Sequence, residues 1–503
     1  MTEKLKILMV SSEMVPYAKE GGLADVVFSL SRELVRQGHD VRVVIPKYLR
    51  ITAQKHDLTR TLENLDVPMG VIGNMGCAVW EGRTAAPSPI VYFIEHEQFY
   101  GREGGLYSNP DGDGHLDNDN RFVFLSRAGI ELCKVLGFAP DVFHVHDWHT
   151  AAAVIFLDTI YHSDPTVGKS ATLLTIHNLQ HQGEFYEGLM DVLGIGWEHF
   201  NFLGLEKDGN TNLLKGAIYH ATLINTVSKS YAREIQTIEF GWELDSVLRE
   251  RFADLYGILN GVDYEEWNPE TDRYIAARYS AESRSGKAVC KIDLQRTFNL
   301  SVRDNVPIIG IVTRLVKQKG IDVLAEAIHK LLEYDVQLVI LGMGEVWAHF
   351  FFGDLPARYP GRFGCFIGYD NALAHKIEAG ADFLLMPSMF EPCGLNQLYS
   401  LRYGTLPIIR AVGGLNDTVV NLDADTNTGT GFKFYDLTAE ALINTVGWAL
   451  YTYYNQKNVI DGMIARAMAE RFTWEVSSKK YVELYKMAIK RRLGEETYLQ
   501  RFK

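Results

Sequence analysis

Residues 6–46, KILMVSSEMVPYAKEGGLADVVFSLSRELVRQGHDVRVVIP, contain two short apolar segments separated by a glycine-containing loop and an amphipathic segment. The outer segments, Lys6–Val10 and Val41–Pro46, are apolar almost throughout, which is typical of strands buried on both faces of a parallel sheet. Between them, six apolar residues repeat with the period of a helix and are interpreted as core: Leu23, Val26, Val27, Leu30, Leu34 and Val35. This order predicts a parallel unit of strand, helix and strand.

The same alternation continues along the chain, because apolar segments of a few residues recur and each is followed by a segment of helical period. In the first half, the predicted strands are Lys6–Val10, Val41–Pro46, Ile90–Ile94, Val142–Val145, Thr172–Ile176 and Thr222–Val227. In the second half, they are Ile308–Val312, Val336–Leu341, Phe363–Ile367, Phe383–Met386 and Leu406–Ile409. The pattern predicts an α/β protein with doubly wound parallel sheets.

A chain of 503 residues exceeds one ordinary core, so two domains are expected. The pattern of strands and helices restarts after residue 262, and the polar stretch Pro269–Ser285 suits a crossover between domains. We therefore predict domains at 1–262 and 263–503, facing a deep cleft at the carboxyl ends of their strands, where such sheets bind ligands. The helical segment Ser477–Arg492 could pack back across the first domain, which the sequence leaves open.

Composition excludes several classes of partner. The net charge, 50 − 63 = −13, disfavours nucleic acid and is compatible with a neutral polymer. Five scattered cysteines without a CxxC pair predict neither a disulfide framework nor a zinc site. No apolar run is long enough to cross a bilayer and no leader pattern precedes Lys6–Val10, so we expect a cytoplasmic protein without a membrane partner.

The first candidate site is the loop Lys19-Glu20-Gly21-Gly22, which leads into the first helix. Paired glycines at such a turn let backbone N–H groups approach an anion at the helix N-terminus. The alternative is a plain tight turn. Lys19 favours a diphosphate or sugar site, whereas Glu20 would repel a phosphate unless its carboxylate points away.

Two neighbouring strands end in polar side chains. The stretch 144–149 reads HVHDWH, and 175–178 reads TIHN. Asp147 with Trp148 suits a sugar, as a hydroxyl acceptor beside an aromatic face, and His177 with Asn178 would supply donors in the same cleft. A core histidine with a capping aspartate is the alternative. Metal binding is disfavoured because no third ligand follows at close spacing.

The second half offers a basic loop and a helix start. Arg314 and Lys319 follow a predicted strand, where two fixed cations can neutralise a departing diphosphate. The alternative is a solvated basic loop. Glu391 precedes Gly394 and Leu395, whose amides would lie at the positive end of a helix.

Taken together, these stretches resemble the bacterial and plant glycogen (starch) synthase family over nearly the whole chain. The resemblance depends on KEGGLADVV from Lys19, HDWH from His146, TIHN from Thr175, NTVSKSY from Asn225, ILNGVD from Ile258, RLVKQKG from Arg314 and EPCGLNQLY from Glu391. It implies the GT-B architecture of two Rossmann-like domains. It also implies transfer of glucose from ADP-glucose to the 4-hydroxyl at the non-reducing end of an α-1,4-glucan, such as glycogen or a maltooligosaccharide. Retention of configuration and the absence of a metal or other cofactor are implied as well.

The resemblance also implies the roles of individual residues. Arg314 and Lys319 would bind the diphosphate and Glu391 the glucosyl hydroxyls, while His177 would lie over the transferred glucose and Asp147 near the acceptor. These five are the predicted catalytic residues. The predicted donor-binding residues are Lys19, Gly22, Asp25, Asn178, Asn260, Tyr369 near the adenine, Gly394, Leu395 and Asn396.

Four features depart from the family pattern or from the wider retaining group. Glu20 stands where Thr or Val is common, Asn396 where Thr is usual, and the loop 241–245, GWELD, is bulkier than the often glycine-rich version. Tyr399 occupies the place of a second glutamate found in the wider group, as in bacterial relatives. The preference for ADP over UDP follows from the resemblance alone.

Two other functions are open. One is a related transferase with a small-sugar acceptor, such as a sucrose- or trehalose-type synthase. The other is a catalytically silent glucan-binding protein, which would be expected to have lost Lys19, Arg314, Lys319 or Glu391. All four are present.

Overall fold

The computed structural model of the protein describes residues 4–502, in which strands and helices alternate. The strands are β1 (Lys6–Val10), β2 (Asp40–Pro46), β3 (Thr59–Pro68), β4 (Asn74–Gly82), β5 (Ile90–Glu95), β6 (Val142–His146), β7 (Ala171–Ile176), β8 (Glu184–Tyr186), β9 (Glu206–Lys207), β10 (Asn210–Asn212), β11 (Leu223–Thr226), β12 (Leu255–Gly257), β13 (Ile308–Val312), β14 (Gln337–Gly342), β15 (Phe363–Ile367), β16 (Phe383–Met386), β17 (Leu406–Arg410) and β18 (Phe432–Phe434). The eleven strands predicted from the sequence are all present.

The α-helices follow the strands and cover the sheets. They are α1 (Gly22–Arg36), α2 (Ala53–His56), α3 (Glu97–Tyr100), α4 (Asn118–Val135), α5 (Ala151–Asp158), α6 (Leu189–Leu193), α7 (Leu213–His220), α8 (Lys229–Glu234), α9 (Asp245–Glu250), α10 (Ser285–Thr297), α11 (Ile321–Leu331), α12 (Val346–Arg358), α13 (Asn371–Gly380), α14 (Asn396–Tyr403), α15 (Gly413–Thr418), α16 (Ala439–Asn455), α17 (Lys457–Ala469), α18 (Trp474–Leu493) and α19 (Glu495–Arg501).

Residue contacts divide the chain into two compact units. The first comprises Met1–Val227, Ala232–Gly261 and Trp474–Lys503, and the second comprises Ser228–Tyr231 and Val262–Thr473. The carboxyl-terminal segment therefore differs from the predicted bounds, 1–262 and 263–503, because Trp474–Lys503 lies in the first unit.

The first unit contains a nine-stranded sheet in the order β12-β11-β7-β6-β1-β2-β5-β4-β3. The seven strands from β12 to β5 are parallel, whereas β4 and β3 extend the edge in antiparallel register. The sequence did not predict β3 and β4. The reason is that β3 is largely exposed and its pairing with β4 is irregular, so its residues lack the apolar pattern of a buried strand.

The second unit contains a six-stranded sheet, entirely parallel, in the order β15-β14-β13-β16-β17-β18. Its strands are buried between helices, with a core that includes Ile309, Ile340 and Leu385 from the sheet and Leu324 and Val446 from α11 and α16. The two sheets confirm the predicted α/β class with two parallel-sheet domains. The antiparallel strands β3 and β4 at the edge of the first sheet were not part of that prediction.

Helix α18 packs on the first sheet and α1. Its buried Tyr485 is hydrogen-bonded to Nδ1 of His144 (2.8 Å), and the Tyr481 hydroxyl accepts a hydrogen bond from Asn225 Nδ2 (3.0 Å). Since Ser477–Arg492 lies inside α18, this contact is the physical reason why the end of the chain belongs to the first unit.

Candidate active site

In the first unit, the strand order β7-β6-β1 brings three strand ends side by side. Parallel strands end at the same edge of a sheet, so Glu13 after β1, Asp147 after β6 and His177 after β7 are neighbours at that edge. This arrangement brings together two of the predicted catalytic residues, Asp147 and His177.

The buried carboxylate of Asp147 fixes the end of β7. Its Oδ1 accepts the backbone N–H groups of His177 (2.6 Å) and Asn178 (3.3 Å). Burial raises the pKa of Asp147 to about 7, and the two N–H groups oppose this rise. Asp147 also adopts a left-handed backbone conformation with φ 54°, which is uncommon for a residue other than glycine. In this structure Asp147 therefore acts on the loop that carries His177 and Asn178.

The imidazole of His177 is paired with a second histidine. A hydrogen bond joins Nε2 of His177 to Nδ1 of the fully buried His146 (3.1 Å). Burial lowers the pKa of His177 to about 3 and that of His146 well below its usual value, so both rings are neutral at neutral pH. Asn178 is ordered locally, because its Oδ1 accepts the N–H of Gln180 (3.0 Å).

The glycine turn before α1 already contains a carboxylate. Glu13 Oε2 accepts the N–H groups of Glu20 (2.6 Å) and Gly21 (3.0 Å), and Tyr107 donates its hydroxyl hydrogen to Oε1. Burial raises the pKa of Glu13, which these hydrogen bonds oppose. Sequence reasoning missed Glu13, although its place after β1 was a usable signal. Gly22, predicted to donate its amide, is the first residue of α1.

Lys19 lies beside this turn in an ion pair with Asp25, with 2.7 Å between Nζ and Oδ2. Both side chains are partly exposed, and both were predicted to bind the donor. Glu20 points away from them, since its Oε1 accepts the N–H of Leu106 (3.1 Å) and lies 4.0 Å from Arg50 Nη2. The carboxylate of Glu20 thus points away from Lys19, which is the orientation in which Glu20 would be compatible with a phosphate near the turn.

Asn260 lies three residues after β12 and is buried. Its side-chain Oδ1 makes no hydrogen bond with any group of residues 4–502. A buried amide oxygen of this kind suits a contact with a donor group from outside the chain.

In the second unit, the loop after β13 lies against the loop before α14. Lys319 Nζ is 2.5 Å from Glu391 Oε2, and Ser388 donates its hydroxyl hydrogen to the same oxygen (3.1 Å). The Lys319 side chain is 16% exposed and that of Glu391 is 7% exposed, so the pair is largely shielded from water. Arg314 is exposed and donates to Gln318 Oε1 (3.1 Å). The structure thus brings Lys319 and Glu391 together, with Arg314 on the same loop as Lys319.

The backbone before α14 is held by close contacts that only glycine allows. A Cβ added to Gly413 would lie 1.9 Å from the Glu391 carbonyl oxygen, and one on Gly414 would lie 2.1 Å from that of Cys393. Gly394 has φ +71°, and Leu395 precedes the first residue of α14, Asn396. Asn396 donates from Nδ2 to the Val312 carbonyl (2.6 Å), so its side chain ties α14 to the end of β13.

Tyr369 differs from the other predicted residues. It follows β15 on an exposed loop, and its side chain is 76% exposed. Its predicted place near the adenine stays a prediction.

Both halves of the chain match families of known proteins. Residues 6–250 match the family model described as starch synthase catalytic domain, and residues 295–460 match glycosyl transferases group 1. Glycogen synthase 1 of Geobacter metallireducens is 62% identical over 99% of both chains, and that of Geobacter sulfurreducens is 61% identical over the same shares. The chain belongs to the glycogen synthase family. It is therefore a glycosyltransferase of the hexosyltransferase class.

Solved structures agree with this family assignment. The catalytic domain of Arabidopsis thaliana starch synthase IV, bound to ADP and acarbose, has a TM-score of 0.88 and 32% identity, and the match covers 97% of this chain and 99% of that chain. Sucrose-phosphate synthase of Thermosynechococcus elongatus has a TM-score of 0.59 and 15% identity, over 96% of this chain and 98% of that chain. The latter shows likeness of fold alone.

Two aromatic residues of this glycogen synthase family member, Trp148 and Tyr399, pack against other aromatic rings. Trp148, which the sequence suggested as a sugar-stacking face, is only 8% exposed and packs edge-on against Phe122 (5.2 Å between ring centroids). A Cβ on Gly183 would lie 2.4 Å from its ring. The interpretation of Trp148 as a sugar-stacking residue was wrong, because the segment around Gly183 covers its ring after the end of β6. Tyr399 stacks on Trp267 at 4.0 Å with parallel rings.

Across residues 4–502, no three His, Cys, Asp or Glu side chains are grouped so that they could hold a metal ion. In the same residues, no helix has the length and apolarity needed to span a bilayer.

Proposed function

We propose that this enzyme lengthens an α-1,4-glucan, such as glycogen or a maltooligosaccharide, by transferring glucose from ADP-glucose to the 4-hydroxyl at the non-reducing end, with retention of configuration. The glycogen synthase relatives support the glucan as acceptor, and the ADP bound to the related plant starch synthase supports the adenine nucleotide. We keep the cytoplasm as the predicted compartment.

The observation that carries this proposal is the shielded Lys319–Glu391 pair, with Arg314 on the same loop as Lys319. When the bond between the glucosyl carbon and the phosphate oxygen breaks, its electron pair leaves with the diphosphate. The 4-hydroxyl oxygen of the acceptor forms the new bond to that carbon, and its proton passes to the departing diphosphate. Two fixed cations stabilise the resulting negative charge, and they are more effective in a partly dehydrated site than in water. In our proposal Lys319 and Arg314 have this role.

Glu391 has two parts in this scheme. Without substrate, its Oε2 neutralises Lys319 and keeps this cation in place at the end of its loop. With substrate, we expect Lys319 to be shared with the diphosphate, and Glu391 Oε1, which neither Lys319 nor Ser388 contacts, to accept a glucosyl hydroxyl hydrogen. The amides of Gly394 and Leu395 and the polar Asn396 are assigned to the phosphates, at the start of α14.

The residues of the first unit are assigned to the sugar. Positive charge develops on the glucosyl carbon as the leaving group departs, so a group next to it must not be cationic. His177 meets this requirement because burial holds its pKa at about 3. Asp147, through the two N–H groups that it accepts, fixes the backbone that presents His177 and Asn178. Lys19, Asp25, Gly22 and Asn260 are assigned to the donor.

One assay tests the proposed function directly. The purified protein is incubated with glycogen and either ADP-glucose or UDP-glucose, and release of the nucleoside diphosphate is measured. We expect ADP release that depends on glycogen, with new α-1,4 linkages visible by NMR. No release with any glucan, together with activity towards a small sugar, would contradict the assignment and favour a sucrose- or trehalose-type enzyme.

A further inference from the structure

His146 precedes Asp147 in the sequence and is hydrogen-bonded to His177, but it is not among the residues assigned to the substrate. It is fully buried at the end of β6, and its Nδ1 is 3.1 Å from Nε2 of His177. One hydrogen must lie between these two nitrogens. Either His146 carries it and donates to His177, or His177 carries it and donates to His146.

The surroundings of His146 distinguish these two cases. Its other ring nitrogen, Nε2, is buried and makes no hydrogen bond with any group of residues 4–502. If the hydrogen of His146 were on Nε2, a buried N–H donor would be left without a partner. Such orphan donors are rarer and more costly than a buried acceptor that is left without a donor. The hydrogen of His146 is therefore expected on Nδ1.

The neighbouring groups agree with a neutral pair. On one side the ring of His144 lies 4.2 Å from that of His146, and His144 is itself bonded to Tyr485 (2.8 Å) and Thr175 (2.7 Å). Burial and the nearby histidines lower the pKa of His146. Its ring is therefore not doubly protonated at neutral pH, and only the two neutral arrangements remain. The backbone N–H of His146 is bonded to Thr150 Oγ1 (2.7 Å), which helps to fix its position.

We propose that His146 is a positioning residue that donates from Nδ1 to Nε2 of His177 and thereby fixes His177 as the tautomer with its hydrogen on Nδ1. The nitrogen of His177 that remains for substrate is then a hydrogen-bond donor, suited to a hydroxyl oxygen of the transferred glucose. This inference rests on the proposed function only for the identity of that hydroxyl. The tautomer itself is a property of the ligand-free protein.

The first test therefore requires no activity. The protein is labelled with ¹⁵N in its histidines, and the imidazole nitrogens are recorded by NMR, with His177→Gln used to assign the signals of His177. We expect protonated Nδ1 and unprotonated Nε2 for His177 near neutral pH. The reverse pattern would overturn the proposal.

The second test uses two substitutions of His146. An asparagine can place its amide nitrogen near the position of Nδ1 and still donate, whereas leucine cannot. We expect kcat of His146→Leu to fall about 10- to 100-fold, by analogy with the loss of a hydrogen-bond partner that orients a metal-bound imidazole, with donor KM changing less than about threefold. His146→Asn should stay within about fivefold of the wild-type kcat.

The outcomes separate this inference from the proposed function. A wild-type kcat in His146→Leu, or equal losses in both variants, would contradict the positioning role. If His146→Leu does not fold, the NMR result in the wild-type protein still decides. If the wild-type protein does not elongate glucans, the proposed function fails, and the tautomer measurement remains as the test of the inference.

Discussion

The two units hold their candidate residues in opposite ways. In the first unit, Asp147, His146 and His177 are bonded to one another and to the backbone, and the two histidines are neutral. In the second unit, Lys319 and Glu391 form an ion pair, and Arg314 on the same loop is exposed. A neutral, rigid group suits a sugar that develops positive charge, whereas charged groups that can change partners suit a phosphate that arrives and leaves.

The largest expected effect comes from removing the shielded cation of the second unit. Lys319→Ala should reduce kcat by a factor of about 10² to 10³, equivalent to about 2.7–4 kcal/mol, because the departing diphosphate loses one fixed charge. Steady-state rates of ADP release provide the measurement. Lys317→Ala is the matched control, since Lys317 lies on the same loop but is exposed. Unchanged turnover in Lys319→Ala would show that the charge is stabilised elsewhere.

A second prediction addresses the neutral side of the comparison through Asp147. Its pKa in the folded protein, about 7, lies above that of an unfolded aspartate, so the folded state binds the proton more tightly. The stabilisation from this proton is complete below about pH 4 and is lost as the pH rises through about 7. Asp147→Asn lacks this titration but keeps an oxygen acceptor for the two N–H groups.

Between pH 5 and pH 7, the free energy of unfolding of the wild type should fall by roughly 2 kcal/mol relative to that of Asp147→Asn. Urea unfolding at several pH values measures this difference. Asp141→Asn, which replaces another buried aspartate of the first unit, is measured alongside as a comparison variant. Parallel stability curves for wild type and Asp147→Asn would mean that Asp147 stays ionised.

The contrast between the units also explains which features the sequence could predict. Continuous apolar segments predicted the eleven main strands, and polar residues directly after them predicted the site residues at strand ends. The pairing of His146 with His177 could not be predicted, because it depends on the register of β6 against β7, in which His146 lies opposite Thr175. The place of Glu13 after β1 was visible in the sequence, but its contacts with Gly21 and Tyr107 were not, because they depend on how other segments pack against it.

Burial was the other quantity that local sequence could not supply. The position of Trp148 shortly after the end of β6 suggested a sugar-stacking residue, but the segment around Gly183 covers its ring. The antiparallel strand β3 was missed because most of its residues are exposed to solvent. It therefore lacks the run of apolar residues by which a buried strand is recognised. In the second unit, the charges of Arg314, Lys319 and Glu391 are visible in the sequence. The pairing of Lys319 with Glu391 is not, because it depends on a backbone position of Glu391 that the close approach of Gly413 allows.

A third prediction concerns a strained turn in the first unit. Trp242 and Glu243 both have left-handed backbone conformations, with φ 48° and 65°, in a loop where the family is often glycine-rich. Glu243 is ion-paired with Lys207 (2.7 Å), and Gln182 donates to the Trp242 carbonyl (2.7 Å). Lys207 is also paired with Glu184 and Asp208, and these carboxylates raise its pKa.

Removal of this lysine should therefore destabilise the turn. We expect Lys207→Met to lower the free energy of unfolding by about 1 kcal/mol, because two of its carboxylate partners are exposed while its ion pairs help to hold the strained residues of the turn. Adding Glu243→Gly should recover part of the loss, because glycine adopts a positive φ without strain. The measurement is urea unfolding of the two single variants and the double variant. Simple additivity of the two single effects would argue against the coupling.

The smallest effect is expected at Glu20, where the sequence alone suggested a conflict with a phosphate. The carboxylate of Glu20 is held by the N–H of Leu106 and lies near Arg50, so its charge is directed away from Lys19. Glu20→Thr, which introduces a residue common in the family, should therefore change donor KM by less than about threefold, or about 0.6 kcal/mol. Glu20→Gln is the matched control, because it removes the charge and keeps the acceptor oxygen. A tenfold fall of donor KM in both variants would mean that Glu20 repels the donor after all, and that the first unit, like the second, acts on the phosphates through charge.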